Sequence, residues 1–410
     1  MLVWLINPYG PIPGETWRDY SFKTMADALT AAGHDVVWWT SNYSHHFKRF
    51  RSKSWYDISL NERFKIRLVP TTGYKRNISF GRILRDAIFA YRCYDRGKSL
   101  PSPNCIIYSE SPLTLGFAGQ KLAQFHHCPV IFHQMDLWPE LFEQVFPKFT
   151  RPLIKAFLYP IYRNRRTIYS KLDAICALAK PYLHVPLHEA PILCSRPHLI
   201  VYNGIDVKYF RGLMEKHSSL TRDLLSKQPG EVWAIFAGSL GPSYDIPTLI
   251  CVSKMLRASE LNLKIVIAGD GPFRTDIEKH VATSDARLVY VGKLGPDKLA
   301  SLYRVCDIAL CAYSPRSNVE MPDKIYDYTA AGLPIINSLR GEVSEMIKEK
   351  KIGLQYRAGD ANDLLAALKR LANNSSLRQE MAKNSFFTAE QYDKNVQYGK
   401  LVKLTEKLCS

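Results

Sequence analysis

The sequence predicts an α/β protein built of two Rossmann-like β/α/β domains, and three observations carry that reading. Short apolar runs alternate with helix-length amphipathic segments along nearly the whole chain. Glycine-bearing turns follow several of those runs, as at Gly10, Gly14, Gly238, Gly269 and Gly271, in the position where open α/β sheets bring backbone close to a ligand. At 410 residues the chain exceeds what one hydrophobic core organises, and the alternation restarts past residue 200.

Taken in order, residues 2–6 are the first strand, followed by the turn NPYGPIPGE and a helix from about Arg18 to Ala32 that ends at Gly33. Residues 34–39 form the next strand. Residues 43–100 read as irregular and strongly basic, with Lys48, Arg49, Arg51, Lys53, Arg63, Lys65 and Arg67 set among Tyr43, Phe47, Phe50, Trp55 and Tyr56. Strands are expected at 105–109 and 129–132, with a helix near 114–125 between them. The strand ending in His133 and Asp136 places both at the ligand edge of a sheet, with Trp138 and Pro139 shaping the rim. Residues 151–169 alternate basic and bulky apolar groups and read as one or two interfacial helices broken at Pro160.

Beyond strands at 172–179 and 198–202, strands are expected at 232–237, 263–268, 288–291 and 308–312, with helices at 246–255, 273–280 and 297–305 between them. Residues 360–387 are helical with a break at Asn373-Asn374-Ser375. The stretch from Asn318 to Ile336 is the densest in chemistry. Pro322 suits the first position of a helix, Lys324 and Asp327 share one helical face, and Gly332 ends the helix before a buried strand. Such a handle offers a cation and backbone N–H groups to phosphate and a carboxylate to sugar hydroxyls.

The formal charge of +17 is concentrated N-terminally, +12 within residues 1–200 and +5 within 201–410. A basic half calls for an anionic partner, here a lipid surface or a diphosphate substrate, and no compact motif points to nucleic acid. The nine cysteines are odd in number and never spaced Cys-x-x-Cys, which favours reduced thiols in a cytosolic protein over disulfides or zinc. No apolar run approaches the ~20 residues of a membrane span, so the expected location is cytoplasmic and peripheral on the inner face of the membrane.

Gly238, the Gly269-Asp270-Gly271-Pro272 turn, Gly292 and the run from Pro322 to Pro334 occur in an order that resembles glycosyltransferase family 4. Asn203-Gly204-Ile205-Asp206 and Asp136-Leu137-Trp138-Pro139-Glu140 look like that family too, the latter like its members in bacterial lipid-linked polysaccharide, O-antigen and capsule synthesis. The resemblance implies a retaining enzyme of the GT-B fold, its two domains facing across a cleft. The acceptor domain would be residues 1–193 plus a returning tail helix of about 386–410, and the nucleotide-sugar domain residues 194–385. Asp327 stands where the family has the second glutamate of its Glu-seven-residues-Glu motif, which holds ribose hydroxyls; the first falls on Val319, with Glu320 one residue late. The family's Arg and Lys after the first strand of this domain fall near Ser239 and Tyr244, so Lys324, with Arg274 or Lys293, would carry the diphosphate.

By that resemblance Lys324, Glu320, Asp136 and His133 are the catalytic candidates. Gly14, Gly238, Ser239, Gly269, Gly271, Arg274, Lys293, Lys324 and Asp327 are the donor-binding ones. No metal and no cofactor besides the donor substrate is expected. The implied reaction moves a hexosyl or N-acetylhexosaminyl unit from a nucleotide-diphosphate sugar, uridine favoured over guanosine by family frequency, to a lipid-diphosphate-linked saccharide. The competing readings are a sugar-nucleotide epimerase and a non-catalytic nucleotide-sugar-binding subunit of a polysaccharide assembly complex.

Overall fold

The structure is a computed structural model that describes residues 1–15, 21–77, 79–143, 146–216, 227–282 and 287–410. It divides into two compact units, Met1–Asn203 with Gln397–Ser410, and Gly204–Val396. The boundaries expected at 193/194 and near 386 are therefore displaced by about ten residues each. The first moves because His198–Ile200 pairs with Ala174–Ala177 in the N-terminal sheet; the second because a separate helix, Ser375–Thr388, ends before the tail helix begins at Lys394.

The strands of the N-terminal unit are β1 (Leu2–Ile6), β2 (Asp35–Ser41), β3 (Tyr43–Ser44), β4 (Arg49–Phe50), β5 (Tyr56–Ser59), β6 (Phe64–Val69), β7 (Cys105–Ser109), β8 (Val130–Gln134), β9 (Ala174–Ala177) and β10 (His198–Ile200). Eight of them form one sheet in the order β10-β9-β8-β7-β1-β2-β6-β5, parallel except where β5 runs against β6. Leu5 lies opposite Trp38 on one side and Ile107 on the other, which keeps alternate residues on common faces. One face packs Trp4, Ile6, Trp39, Phe89, Tyr108 and Phe132. The other packs Val3, Leu5, Phe22, Trp38 and Ile131 against Tyr398, Leu401 and Leu404 of the tail helix Lys394–Cys409.

Residues 43–100 are not irregular: they hold β3 to β6 and the 18-residue helix Phe80–Gly97. Strand β6 alternates buried Phe64, Ile66 and Leu68 with Lys65 and Arg67, so its cations belong to the outer face of an ordinary strand. The Arg51 side chain is buried as well, its guanidinium donating to Glu15 Oε2 at 2.6 Å and to the Gly10 carbonyl at 2.7 Å. It fastens the first loop and is unavailable to a membrane. Residues 151–169 do form two helices, Arg151–Phe157 and Tyr159–Ser170. The first described helix is Ser21–Ala31; positions 18–20 of its expected span lie outside the described residues.

The second unit holds β11 (Val232–Ala237), β12 (Leu263–Ala268), β13 (Leu288–Tyr290), β14 (Ile308–Cys311), β15 (Ile335–Asn337) and β16 (Gly353–Gln355), in the order β13-β12-β11-β14-β15-β16 and parallel throughout. Its central strands are buried on both faces, Val232–Ala237 along its whole length, as a sheet covered by helices on each side requires. Among the described residues no helix is long and apolar enough to cross a membrane.

Candidate functional site

The carboxyl ends of β11, β12 and β13 meet in a pocket of about 460 Å³ lined by Gly238, Ser239, Gly269, Asp270, Gly271 and Lys293 among others. Glycine is required where β11 and β12 leave the sheet. A Cβ on Gly269 would stand 1.9 Å from the Gly238 carbonyl oxygen, and its φ of +155° is one that other residues rarely adopt. The two loops are stitched by Gly238 N–H to Ala268 O at 3.0 Å and Leu240 N–H to Asp270 O at 3.0 Å. The result is a wall of bare backbone at the edge where open α/β sheets bind ligands.

Lys324 enters this wall from the helix Asp323–Ala330. Its Nζ lies 3.0 Å from where a Cβ on Gly238 would be, so any larger residue at 238 would press on the amine. The side chain is 8% exposed, and Nζ has no hydrogen-bond partner among the described residues. Three rings surround it: Phe236, Tyr244 and Tyr313, with centroids 4.1, 4.3 and 4.9 Å from Nζ. Burial lowers its pKa to about 8, while Cys311 and Asp327 pull it the other way. A desolvated ammonium with its donors unused is a strong attractor for an oxyanion.

The remaining expected residues divide. Ser239 and Lys293 are exposed and line the pocket. Asp327 is half-buried on the Lys324 helix, close enough for its charge to act on Lys324. Pro322, expected as the first helical residue, is instead the extended N-cap. Arg274 is exposed and outside the pocket lining, donating to Glu278 at 2.7 Å and lying 3.9 Å from the pocket residue Asp270. Glu320 accepts the Glu342 N–H at 3.2 Å and stands against Gly341 at the start of the helix Glu342–Lys350. Burial outweighs the help of that helix end and raises the Glu320 pKa, and Glu320 is not part of the pocket lining.

In the N-terminal unit Gly14 occupies an exposed turn with φ of +85°. His133 is fully buried within β8, its Nδ1 3.1 Å from Cys176 Sγ, and burial lowers its pKa to about 3. It is a neutral packing residue, because β8 runs two residues further than expected, to Gln134, and buries it between Ser109 and Cys176. Asp136 reaches solvent but is hemmed in by protein, which raises its carboxyl to about 6. Beneath it lies Glu110, fully buried, accepting the N–H groups of Met135 at 2.9 Å and Asp136 at 3.0 Å. Burial and the Asp136 charge hold the Glu110 carboxyl far above the usual range. Arg165 pins the segment that follows, donating to Trp138 O and Glu140 Oε2, each at 2.6 Å.

Sequence reasoning missed Glu110 and the aromatic cage. Glu110 directly follows β7, so the strand-exit rule that selected Asp136 selects it equally. Tyr244 and Tyr313 carried no such signal, since only the bridge between residues 244 and 313 brings them to Lys324. Among the described residues no group of three or more His, Cys, Asp or Glu side chains is placed to hold a metal ion.

The family model for glycosyl transferases group 1 matches residues 221–386, which contain this pocket. The fold is GT-B, and residues 221–386 are similar to group 1 glycosyl transferases. The chain is 24% identical over 291 residues to the sulfoquinovosyl transferase SQD2 of Arabidopsis thaliana, a match covering 70% of this chain and 54% of that protein. It thus aligns with about half the length of this relative. It is 20% identical over 391 residues to the alpha-monoglucosyldiacylglycerol synthase of Streptococcus pneumoniae, covering 92% and 80%. The structure of HepE from Anabaena in complex with UDP-glucose superposes with a TM-score of 0.65 at 13% identity, covering 99% of both chains.

Proposed function

We propose that the enzyme transfers a hexosyl or N-acetylhexosaminyl unit from a UDP-sugar to a lipid-diphosphate-linked saccharide, with retention at the anomeric carbon, at the cytoplasmic face of a membrane. The observation that carries the donor half is the buried, unpartnered Lys324 amine beside Gly238. Breaking the bond between the anomeric carbon and the diphosphate oxygen leaves the electron pair on phosphate. Lys324 and Lys293 meet that charge, and each well-placed donor of this kind is worth about 3 kcal/mol of barrier. Asp327 takes the ribose hydroxyls. The acceptor hydroxyl attacks on the face the diphosphate leaves, and its proton passes to the departing phosphate oxygen. Asp136, the exposed carboxylate at the end of the N-terminal sheet, orients that hydroxyl.

The lipid character of the acceptor draws on two supports. The streptococcal relative is named for a glycosylated diacylglycerol. Phe149, Leu153 and Phe157, spaced four residues apart, are 84%, 75% and 81% exposed beside the exposed cations Lys155, Arg163 and Arg166. Rings and cations so arranged suit an anionic lipid surface, and they replace Arg51 as the contact to test. Incubation with UDP-glucose and UDP-N-acetylglucosamine, with and without a membrane lipid extract, is the experiment. Free UDP should appear only when lipid is present. UDP release independent of lipid, or no rise in melting temperature with any UDP-sugar where 100 times Kd should add roughly 2.7 kcal/mol, would overturn the reading.

A further inference from the structure

Away from Asp136, the N-terminal unit holds a second concentration of charge around Tyr9 and Tyr74. Arg85 is 1% exposed, its guanidinium carbon 5.0 Å from the Tyr9 ring and 5.3 Å from the Tyr74 ring. Nη2 donates to Tyr74 OH at 3.3 Å, while Nε and Nη1 have no hydrogen-bond partner among the described residues. Asp86 lies 3.0 Å from Nε, off the hydrogen-bond axis. Arg82 donates to Tyr9 OH at 2.9 Å, and Lys48 Nζ sits 4.5 Å from the Tyr74 ring centroid and 3.5 Å from His45 Nδ1. Arg82, Lys48 and His45 are partly exposed, so the cluster has an open rim over a buried base.

Two features make this arrangement unstable on its own terms. Three cations face a single carboxylate, an excess of two positive charges in partly desolvated surroundings. Both arginines also stand in the first turns of the helix Phe80–Gly97, which has no acidic residue in its first turn. That end carries the positive pole of the macrodipole, where acids are normally favoured and cations are not. The strain shows in the neighbours: burial together with Lys48, Arg82, Arg85 and His46 pushes His45 down to about 4. Unpaired buried donors and a locally unfavourable charge pattern mark a site completed by something else.

We propose that Lys48, Arg82 and Arg85, on the floor formed by Tyr9 and Tyr74, bind a phosphate dianion, which in this enzyme is the phosphoryl or diphosphoryl group of the acceptor. The assignment to the acceptor rests on the proposed function above; the anion site rests on this cluster alone. An arginine pair near a helix N-terminus supplies forked N–H donors and charge to tetrahedral oxyanions. A neutral diacylglycerol offers nothing to such a site, so the cluster selects a phosphorylated acceptor over a neutral lipid.

The test uses the full chain with ring-labelled histidine, titrated with inorganic pyrophosphate at fixed ionic strength while the His45 resonance is followed by NMR. Because His45 reports only on its own surroundings, pyrophosphate entering the Lys324 pocket does not confuse the readout, and UDP binding there is measured separately. Saturable binding is expected, with the His45 pKa rising from about 4 towards its ordinary value as the cations are neutralised, and at least about tenfold weaker binding in the partly exposed Arg82→Gln/Lys48→Gln double variant. A His45 resonance indifferent to pyrophosphate, or equal affinity in the double variant, would overturn the site. A parallel arm measures sedimentation with phosphatidylglycerol vesicles. Loss of vesicle binding in the double variant, with pyrophosphate leaving His45 unmoved, would assign the cluster to lipid headgroups and refute the acceptor assignment.

Discussion

Replacing Lys324 by methionine removes the ammonium while keeping an unbranched stem among Phe236, Tyr244 and Tyr313. Burial lowers the pKa of this lysine from 10.5 to about 8, and a displacement of that size corresponds to roughly 3 kcal/mol that the charged form costs the unoccupied fold. The cation–π attraction of the rings offsets part of this. Lys324→Met should therefore stabilise the free protein by about 1–2 kcal/mol at pH 7 while removing most nucleotide binding and turnover. The sign with pH follows. In the wild type the cost is fully present below pH 8 and fades as pH rises towards 10.5, the value of the unfolded chain, so this residue makes the free protein more stable across that window. UDP affinity runs the opposite way, falling about tenfold by pH 9 as the amine loses its proton. Urea unfolding with and without UDP, at pH 7 and pH 9, measures both. A methionine variant that is less stable than the wild type, or that still binds UDP with unchanged affinity, would refute the argument that a destabilising charge is kept for the ligand.

Asp327→Asn should weaken nucleotide binding by about 1–2 kcal/mol with little change in the melting temperature, because an amide keeps only part of a carboxylate's acceptor capacity; calorimetric titration with UDP checks it. Gly269→Ala should unfold the nucleotide unit or destabilise it by more than about 3 kcal/mol, since the new Cβ meets the Gly238 carbonyl at 1.9 Å, and circular dichroism on heating reads the loss. Arg51→Met should cost about 3–5 kcal/mol by stranding the Glu15 carboxylate. Burial opposes the ionised form of Glu15, but its bonds to Arg51 win and lower its pKa. The variant should therefore recover part of its stability on acidification, which chemical unfolding at pH 7 and pH 5 would show.

The β/α alternation was legible because parallel strands buried on both faces read as unbroken apolar runs: 2–6, 105–109, 232–237 and 263–268 are strands over those very residues. The stretch from 43 to 100 was not, for two physical reasons. Strand β6 lies next to the edge strand β5 and sets Lys65 and Arg67 between its buried apolar residues. The helix Phe80–Gly97 leaves Phe80, Ile83, Leu84 and Tyr91 exposed while burying Arg85 and Asp86, so its pattern runs against the usual rule. The same limit applied to the sites. Lys324 stood out through a local motif, but its cage is assembled from residues about 80 positions apart, and Glu320 looked available only because the helix end that engages it follows 22 residues later. His133 failed for want of one residue of strand length.

The tail helix has a consequence for the order in which the protein is made. Tyr398, Leu401 and Leu404 pack into the same core as Val3, Leu5 and Trp38, and burying a large apolar side chain contributes about 1.5–3 kcal/mol. During synthesis, residues 1–203 therefore leave the ribosome with one side of their sheet covered by the helix Ser21–Ala31 but not by the tail helix, and it stays so until residues 397–410 emerge. At roughly 5–20 residues per second that interval lasts about 10–40 s. The second unit is complete within its own span and can finish folding first. A nascent chain stalled before residue 397 should thus carry a folded Gly204–Val396 unit behind an N-terminal half that binds chaperones and is cut by protease.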